Sequence, residues 1–405
     1  MVAAEQGGGF RYRIMNLYLL VLFWVSVLLF AYSNFIYPIL LAGFGFLDRP
    51  PKPSTDAMGD NLKPITLLVP AYNESAVIQA KLKNIDALEY PPGMLRVIVA
   101  SDGSDDGTQD IVRSHPCARP VQLLDFQERR GKASIVNDAL SQCTDPWVCL
   151  CDTNVMFRPD ALIRLGRRLQ LPKIGAVTGD VRLASEESDF GRGESLYYRV
   201  ERAIQKGESL VGSVMGVDGG MYLMRRELFQ PVPKDTILDD FTISMNVIQQ
   251  GYRIEYEPTA IAEENGTPSS EIEFGRRKRV ARGAVQSISR GIYPSMSGQP
   301  IEFAQWFSHK LLRWLNPLIL IAIFLLSIAL AFFSTWFQAL LGLQILAIGG
   351  AVLAWFKPKL REWPILGVIY YFGLSHWAML IGLFQGLSGK YSAVWNRTER
   401  KPMAS

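Results

Sequence analysis

Cysteine is scarce in this chain, and charge is missing from three long stretches of it. Only Cys117, Cys143, Cys149 and Cys151 occur in 405 residues. None has zinc-type spacing, and Cys149 and Cys151 fall inside an apolar run. The set therefore reads as reduced thiols packed in a core, suited to a reducing cytosol. There is no basic stripe with interleaved aromatics. Lys and Arg number 42 against 38 Asp and Glu, a net charge of +4. That excess is too slight to argue for a nucleic-acid partner. Coiled-coil heptads are absent, so the pattern specifies no oligomeric state.

Residues 14–47, 314–356 and 363–389 contain no Asp, Glu, Lys or Arg. A membrane-spanning helix needs about 20 apolar residues. The first block accommodates one span. Its apolar run is too long for a cleaved signal and lacks a small-residue cleavage site. The middle block accommodates two, breaking near Ser334 and Thr335, and the last accommodates one. The expected layout is one N-terminal and about three C-terminal spans around a soluble domain. In full, the division is 1–47, 48–284 as the soluble domain, 285–313 as an amphipathic interfacial segment, 314–389 as the C-terminal spans, and 390–405 as a basic tail. Ile301 to Leu312, with Phe303, Trp306 and Phe307, reads as a helix lying in the headgroup plane. The basic flanks "HKLLRW" at 309–314 and "KPKLREW" at 357–363 place the soluble domain on the cytosolic side of a multi-pass cell-membrane protein. Arg11, Arg13, Lys390, Arg397, Arg400 and Lys401 oppose that orientation. His376 is the one histidine in the last block and reads as a packing or interface residue. Transport is therefore the weakest function class.

Strand and helix signals alternate in the soluble part. "PITLLVPAY" (64–72) reads as a buried strand, followed by Ile78, Leu82 and Ile85 at helical spacing. "LRVIVAS" (95–101) and "VQLLDF" (121–126) are further strands, separated by a turn-rich loop and a short helix through Ile111 and Val112. "GKASIVNDAL" (131–140) suits a helix and "PWVCLCD" (146–152) a fourth strand. Pro159 begins a helix with Leu162, Leu165 and Leu169 on one face. Such alternation predicts an α/β fold with a mostly parallel sheet, its ligands bound at the strands' carboxyl ends.

Acidic loops fall at those ends. Asp102 opens "DGSDDGT" (102–108), either an Asx-type turn or a ligand site. Asp152 and Asn154 alternate at an emerging strand end, so their oxygens can share a hard divalent cation, or Asp152 can cap a turn. "ILDDFTISMNVIQQGYR" (237–253) sets Asp239 and Asp240 before an amphipathic helix. One aspartate can cap the helix. The other is then available as a base for an alcohol nucleophile, unless both are solvated acids favoured by the helix dipole. "GVDGGMYLMRR" (216–226) pairs glycines with Asp218, allowing close substrate approach or a bulge. "RRKRVARG" (276–283) is a membrane-surface charge face or a phosphate clamp.

In this order the set resembles the family 2 glycosyltransferases of GT-A fold, especially the membrane-embedded branch with cellulose, chitin and hyaluronan synthases. "VPAYNE" (69–74), with Pro70, Tyr72 and Glu74, resembles the nucleotide-binding opening. "SDGSDDGT" resembles the uracil- and phosphate-side loop, and Gly131, Lys132 and Asn137 the next donor element. "DTN" (152–154) falls at the metal-binding DxD position and "LDD" (238–240) at the TED position. The resemblance implies a GT-A sheet and inverting transfer from a nucleotide-diphospho-sugar, a UDP-sugar above all. It also implies Mg2+ or Mn2+ at Asp152 and Asn154, Asp240 as base beside Asp239, and donor contacts from Pro70, Tyr72, Glu74, Asp102, Lys132, Asp218, Arg276 and Arg279. The acceptor is a glycan or a lipid-linked sugar at the membrane. Three positions depart from the family pattern. Asn154 replaces the second DxD carboxylate, and Leu-Asp-Asp stands at TED. "RRKRV" (276–280) stands where processive synthases have QxxRW, keeping Arg279 but replacing the tryptophan with Val280. Polymer synthesis and single-sugar transfer to a membrane lipid both remain open.

Overall fold

A computed structural model describes residues 2–44, 61–116, 118–183, 191–265, 270–389 and 391. The sequence expectations for residues 48–60, Cys117 and the basic tail, and for the side chains of Arg11 and Arg13, lie outside the described part.

Strands β1 (Ile65–Ala71), β2 (Leu95–Asp102), β3 (Val121–Phe126) and β4 (Trp147–Cys151) are parallel and adjacent in the order 3-2-1-4. Their apolar runs follow from burial on both faces. In β4, Trp147, Cys149 and Cys151 enter one core cluster while Val148 and Leu150 enter the other. Each fully buried Val, Leu or Ile of this kind contributes about 1.5–3 kcal/mol. Helices α3 (Ile78–Asp86), α4 (Thr108–Ser114) and α5 (Lys132–Ser141) connect these strands, and α6 (Ala161–Leu169) follows the short β5 (Met156–Phe157). Leu162, Leu165 and Leu169 are buried as their spacing predicts.

The sheet then continues with β7 (Met221–Arg225), β6 (Ile174–Leu183), β8 (Arg253–Glu264) and β5, giving eight strands in the order 3-2-1-4-7-6-8-5 among the described residues. β7 runs antiparallel to β4, with Cys151 opposite Met221. That register decides where the site lies. It brings Asp152, just past β4, beside residues 218–220, just before β7. The β1–β2 register likewise sets Ala71 opposite Ser101, so Tyr72 and Asp102 leave the sheet at the same edge.

Helix α1 (Val2–Ala31) passes through a π-helical turn at Tyr32–Ile36 into α2 (Tyr37–Phe44). After α7 (Gly191–Val211), α8 (Asp239–Gln249) and α9 (Ser270–Ser289) come α10 (Pro300–Trp306), a second π-turn at Phe307–Leu311, α11 (Leu312–Ala331), α12 (Thr335–Phe356) and α13 (Pro364–Leu387). Among the described residues four helical stretches are long and apolar enough to cross a membrane: Asn16–Gly43, Pro300–Ala331, Thr335–Phe356 and Pro364–Leu387. One is N-terminal and three are C-terminal, as the charge gaps predict. The segment expected as a separate interfacial helix runs on, through a π-turn, into the rest of the second candidate stretch. Nothing breaks the helix at residue 312, and Trp306, His309, Leu312 and Trp314 are buried. Trp306 and Trp314 share a core cluster of the sheet domain with Phe241, Ala281 and Ala284.

The spans grip the domain closely. Along α13, Gly382 and Gly386 let α9 approach so near that a side chain at either would overlap it, at the Lys278 carbonyl and at Val285. Between the two π-turns runs a polar seam. Tyr32 bonds Ser308 at 2.9 Å, Ser33 donates to Asn316, and Asn316 donates to Asn34. Inside the last span, His376 donates through Nδ1 to the Phe372 carbonyl and lies against that ring, as a packing residue does.

Candidate active site

The loops after β1, β2, β3 and β4 meet those before β7 and α8 at the sheet edge. Asp102 ends β2 and is buried. Its carboxylate accepts from the Arg130 and Gly131 amides at 2.7 and 2.8 Å. Gly103 and Gly131 adopt positive φ, and a side chain at Gly103 would strike the Arg129 backbone. Only glycine suits that close approach. Asp102 therefore anchors the loop that delivers Lys132 to the start of α5. Asp105 and Asp106 serve the neighbouring turn. Asp105 exchanges hydrogen bonds with Asn73, whose φ is positive, while Asp106 accepts from Ser75 and Thr108. Burial opposes ionisation of Asp106, yet these hydrogen bonds outweigh it and hold its pKa low. Glu74 donates its amide to Thr108, and the Arg129 guanidinium stacks on the Tyr72 ring at 3.8 Å.

Lys132 is the hub. Its ammonium lies 2.9 Å from Asp152 and 3.8 Å from Asp239. Burial works against that charge, but Asp152, Asp239 and Asp240 overcome it and raise the pKa. Asp239 and Asp240 form the first turn of α8. The Asp240 carboxylate points at Gly219, where a Cβ would come within 2.5 Å of Oδ2. Asp218, one residue earlier, accepts from the Gly220 amide at 2.9 Å and donates its own amide to Thr178 of β6 at 3.0 Å. Burial, then the charges of Asp152 and Asp240, raise the Asp218 pKa to about 6. Burial and Asp239 raise that of Asp240 as well, against the pull of Lys132 and Arg279.

Arg279 thus bears on the site from α9. Arg276 is engaged elsewhere. It pairs with the buried Glu273 at 2.8 Å, and Arg277 pairs with the same carboxylate at 2.6 Å. The spacing of "RRKRV" could not reveal this, because Glu273 lies one helical turn away on the same face. Pro70 takes part through its carbonyl, which accepts from Thr153 at 3.0 Å and fixes the turn carrying Asp152 and the half-buried Asn154.

For a cation, Asp152 and Asn154 offer the hard oxygens that Mg2+ or Mn2+ prefers. The Lys132 ammonium beside Asp152 shows that the spot accommodates positive charge. Among the described residues no cluster of three or more His, Cys, Asp or Glu side chains is arranged to hold a metal. Asp152 and Asn154 are the residues that could hold such an ion.

The family described as Glycosyltransferase like family 2 matches residues 63–284, more than half of the chain. The chain belongs to glycosyltransferase family 2. Among curated relatives, the poly-beta-1,6-N-acetyl-D-glucosamine synthase of Staphylococcus aureus is 29% identical over 242 residues, covering 58% of this chain and 58% of that one. That of Staphylococcus epidermidis is 27% identical over 237 residues, covering 57% of each. The match therefore spans little more than half the length of these synthases. Among solved structures, a mannosyltransferase from Pyrobaculum calidifontis in complex with GDP-Man and Mn2+ superposes with a TM-score of 0.67 at 25% identity. That likeness covers 91% of this chain and 99% of that one. This glycosyltransferase has a GT-A-like, mostly parallel sheet, as its motif order predicts.

Two supporting residues escape a motif reading. Lys81 is fully buried in α3, donates to the Val155 carbonyl at 2.5 Å and lies over the Phe157 ring. It braces the turn after Asp152 from behind. The signal was a lysine within the apolar stripe of Ile78, Leu82 and Ile85. Thr178 belongs to a strand whose sequence carried no motif.

Proposed function

We propose that this glycosyltransferase moves a sugar with inversion from a nucleotide-diphospho-sugar, a UDP-sugar first, to a glycan acceptor at the membrane, in polysaccharide synthesis. The supporting observation is the convergence of Lys132, Asp152, Asp218, Asp239 and Asp240 at one sheet edge. Asp240 takes the proton of the acceptor hydroxyl. Its raised pKa suits a base facing an alcohol, and helix α8 and Gly219 fix its direction. Lys132 and Arg279 face the departing diphosphate, offsetting charge that grows as the sugar leaves. Tyr72, Glu74 and Asp102 shape the pocket for base and ribose, and Asp218 lines the donor side. Asp152 and Asn154 would hold Mg2+ or Mn2+, which would neutralise charge on the leaving group. The catalytic domain, residues 48–284, faces the cytosol of a cell-membrane protein, with the spans delivering the acceptor.

One observation favours a second reading, non-processive addition of a single sugar to a membrane lipid. Val280 stands where the QxxRW motif of the processive synthases has its tryptophan. The test is incubation of the purified chain with UDP-GlcNAc, UDP-Glc, GDP-Man and other nucleotide sugars plus Mg2+ or Mn2+. Released nucleotide identifies the donor, and product mass separates polymer from single transfer. No release from any donor with any acceptor would overturn the proposal.

A further inference from the structure

A buried ionic cluster lies behind the active site, where the second span meets the domain. His309 sits in the π-turn of that span, 2% exposed, between two glutamates of α7. Its Nδ1 is 2.9 Å from Glu208 Oε1 and its Nε2 is 2.7 Å from Glu201 Oε1. Glu208 Oε1 already accepts from Tyr37 and Oε2 from the Met215 amide, while Glu201 Oε2 accepts from Arg313. A neutral imidazole carries one N–H and can satisfy one of these acceptors. Donation to both carboxylates takes the imidazolium. Tyr37, Glu201, Glu208, Lys310 and Arg313 are the titratable and charged groups facing it. Lys310 and Arg313 lie 3.5 and 2.8 Å from Glu201. His309, Lys310 and Arg313 together overcome the burial penalty and hold Glu201 well below the ordinary carboxylate range.

The cluster leads to the catalytic loop. Glu208 fixes the Met215 amide, and Gln305, one turn before His309, accepts from the Ser213 amide at 3.0 Å and donates to the Glu208 carbonyl. The chain then runs from Met215 through Gly216 to Asp218 and Gly219, the wall of the Asp240 pocket. We propose that His309, as an imidazolium shared by Glu201 and Glu208, is a positioning residue that sets this loop against the second span. π-helical turns recur at functional sites, and both π-turns among the described residues serve the cluster, one carrying His309 and the other leading into Tyr37.

The test uses the full chain in nanodiscs with 15N-labelled histidine, of which there are three. A His309→Gln variant identifies the signal. An ordinary histidine is mostly neutral at pH 8. His309 should instead show two protonated ring nitrogens there. In Glu201→Gln the amide can donate to Nε2, so a neutral ring satisfies both neighbours and one nitrogen should lose its proton. In turnover, the parent should lose rate as rising pH takes the proton from His309, and Glu201→Gln should show no such loss. His309→Phe should lower nucleotide release about 10- to 100-fold at a donor KM within two-fold of the parent, as misplacement of a site does. A neutral His309 at pH 8, coincident pH profiles of parent and Glu201→Gln, or an unimpaired His309→Phe would each overturn the proposal. The turnover arms rest on the glycosyl-transfer reading, and the nitrogen spectrum does not. Failure of either is therefore separable.

Discussion

Gly219→Ala is a perturbation that moves the proposed base without altering its chemistry. A methyl there would lie 2.5 Å from Asp240 Oδ2, where ordinary contact begins at 3.4 Å, so the carboxylate must retreat by roughly 0.9 Å. Gly219 is not among the glycines with positive φ, so the backbone tolerates alanine. The obstructing atom is also the end of a side chain, which can turn aside cheaply. Stability should therefore change little. A displacement near 1 Å costs about 100-fold in rate, or about 2.7 kcal/mol of transition-state stabilisation. Nucleotide release at saturating donor, measured beside the donor KM and the thermal midpoint, should show kcat falling to that extent with KM and midpoint nearly unchanged. Gly275→Ala is the control. Its added Cβ meets nothing within 4 Å, and alanine in a helix should stabilise by about 0.5–1 kcal/mol. If Gly219→Ala retained turnover within two-fold of the parent, the placement of Asp240 against this loop would be wrong as a catalytic constraint.

Gly382→Val should force α13 off α9, because the new side chain meets the Lys278 carbonyl rather than a movable group. A loss of at least about 1–3 kcal/mol, read as a lowered midpoint in detergent, is expected. An unchanged midpoint would contradict the close packing. Glu273 is buried, yet Arg276 and Arg277 outweigh that burial and lower its pKa. A lowered carboxylate contributes stability above its unfolded pKa, near 4.3, and loses it as pH falls through the folded value. Glu273→Gln should therefore cost about 3 kcal/mol at pH 7, the low end for a broken buried pair. The gap to the parent should close below pH 4, and a constant gap across that range would refute the pairing.

The parallel half of the sheet was legible because β1, β2 and β4 are covered on both faces and read as plain apolar runs. β8 was not. Its Glu255 and Glu257 are buried against Arg168 of α6, at 3.5 and 3.1 Å. A strand that buries charges in pairs loses the apolar signature that marks it. β6 was missed for a related reason, since its glycines and polar residues make room for Met221 and for Thr178 beneath Asp218. Within the site, motif order located Asp152, Asp239, Asp240 and Lys132. It could not show that Lys132 lies between Asp152 and Asp239, nor that Asp102 is bound to the α5 loop amides. Those facts depend on which strand ends share an edge. The π-turns were invisible too, because their residues look like any other helix.

The most direct test of the account is Asp240→Asn in the purified full chain, measured for sugar transfer and for Mn2+-dependent donor binding in parallel. Removing a general base typically costs 10²–10⁴-fold, so transfer should fall by about that much while donor binding persists. Transfer at the parent rate would contradict the account.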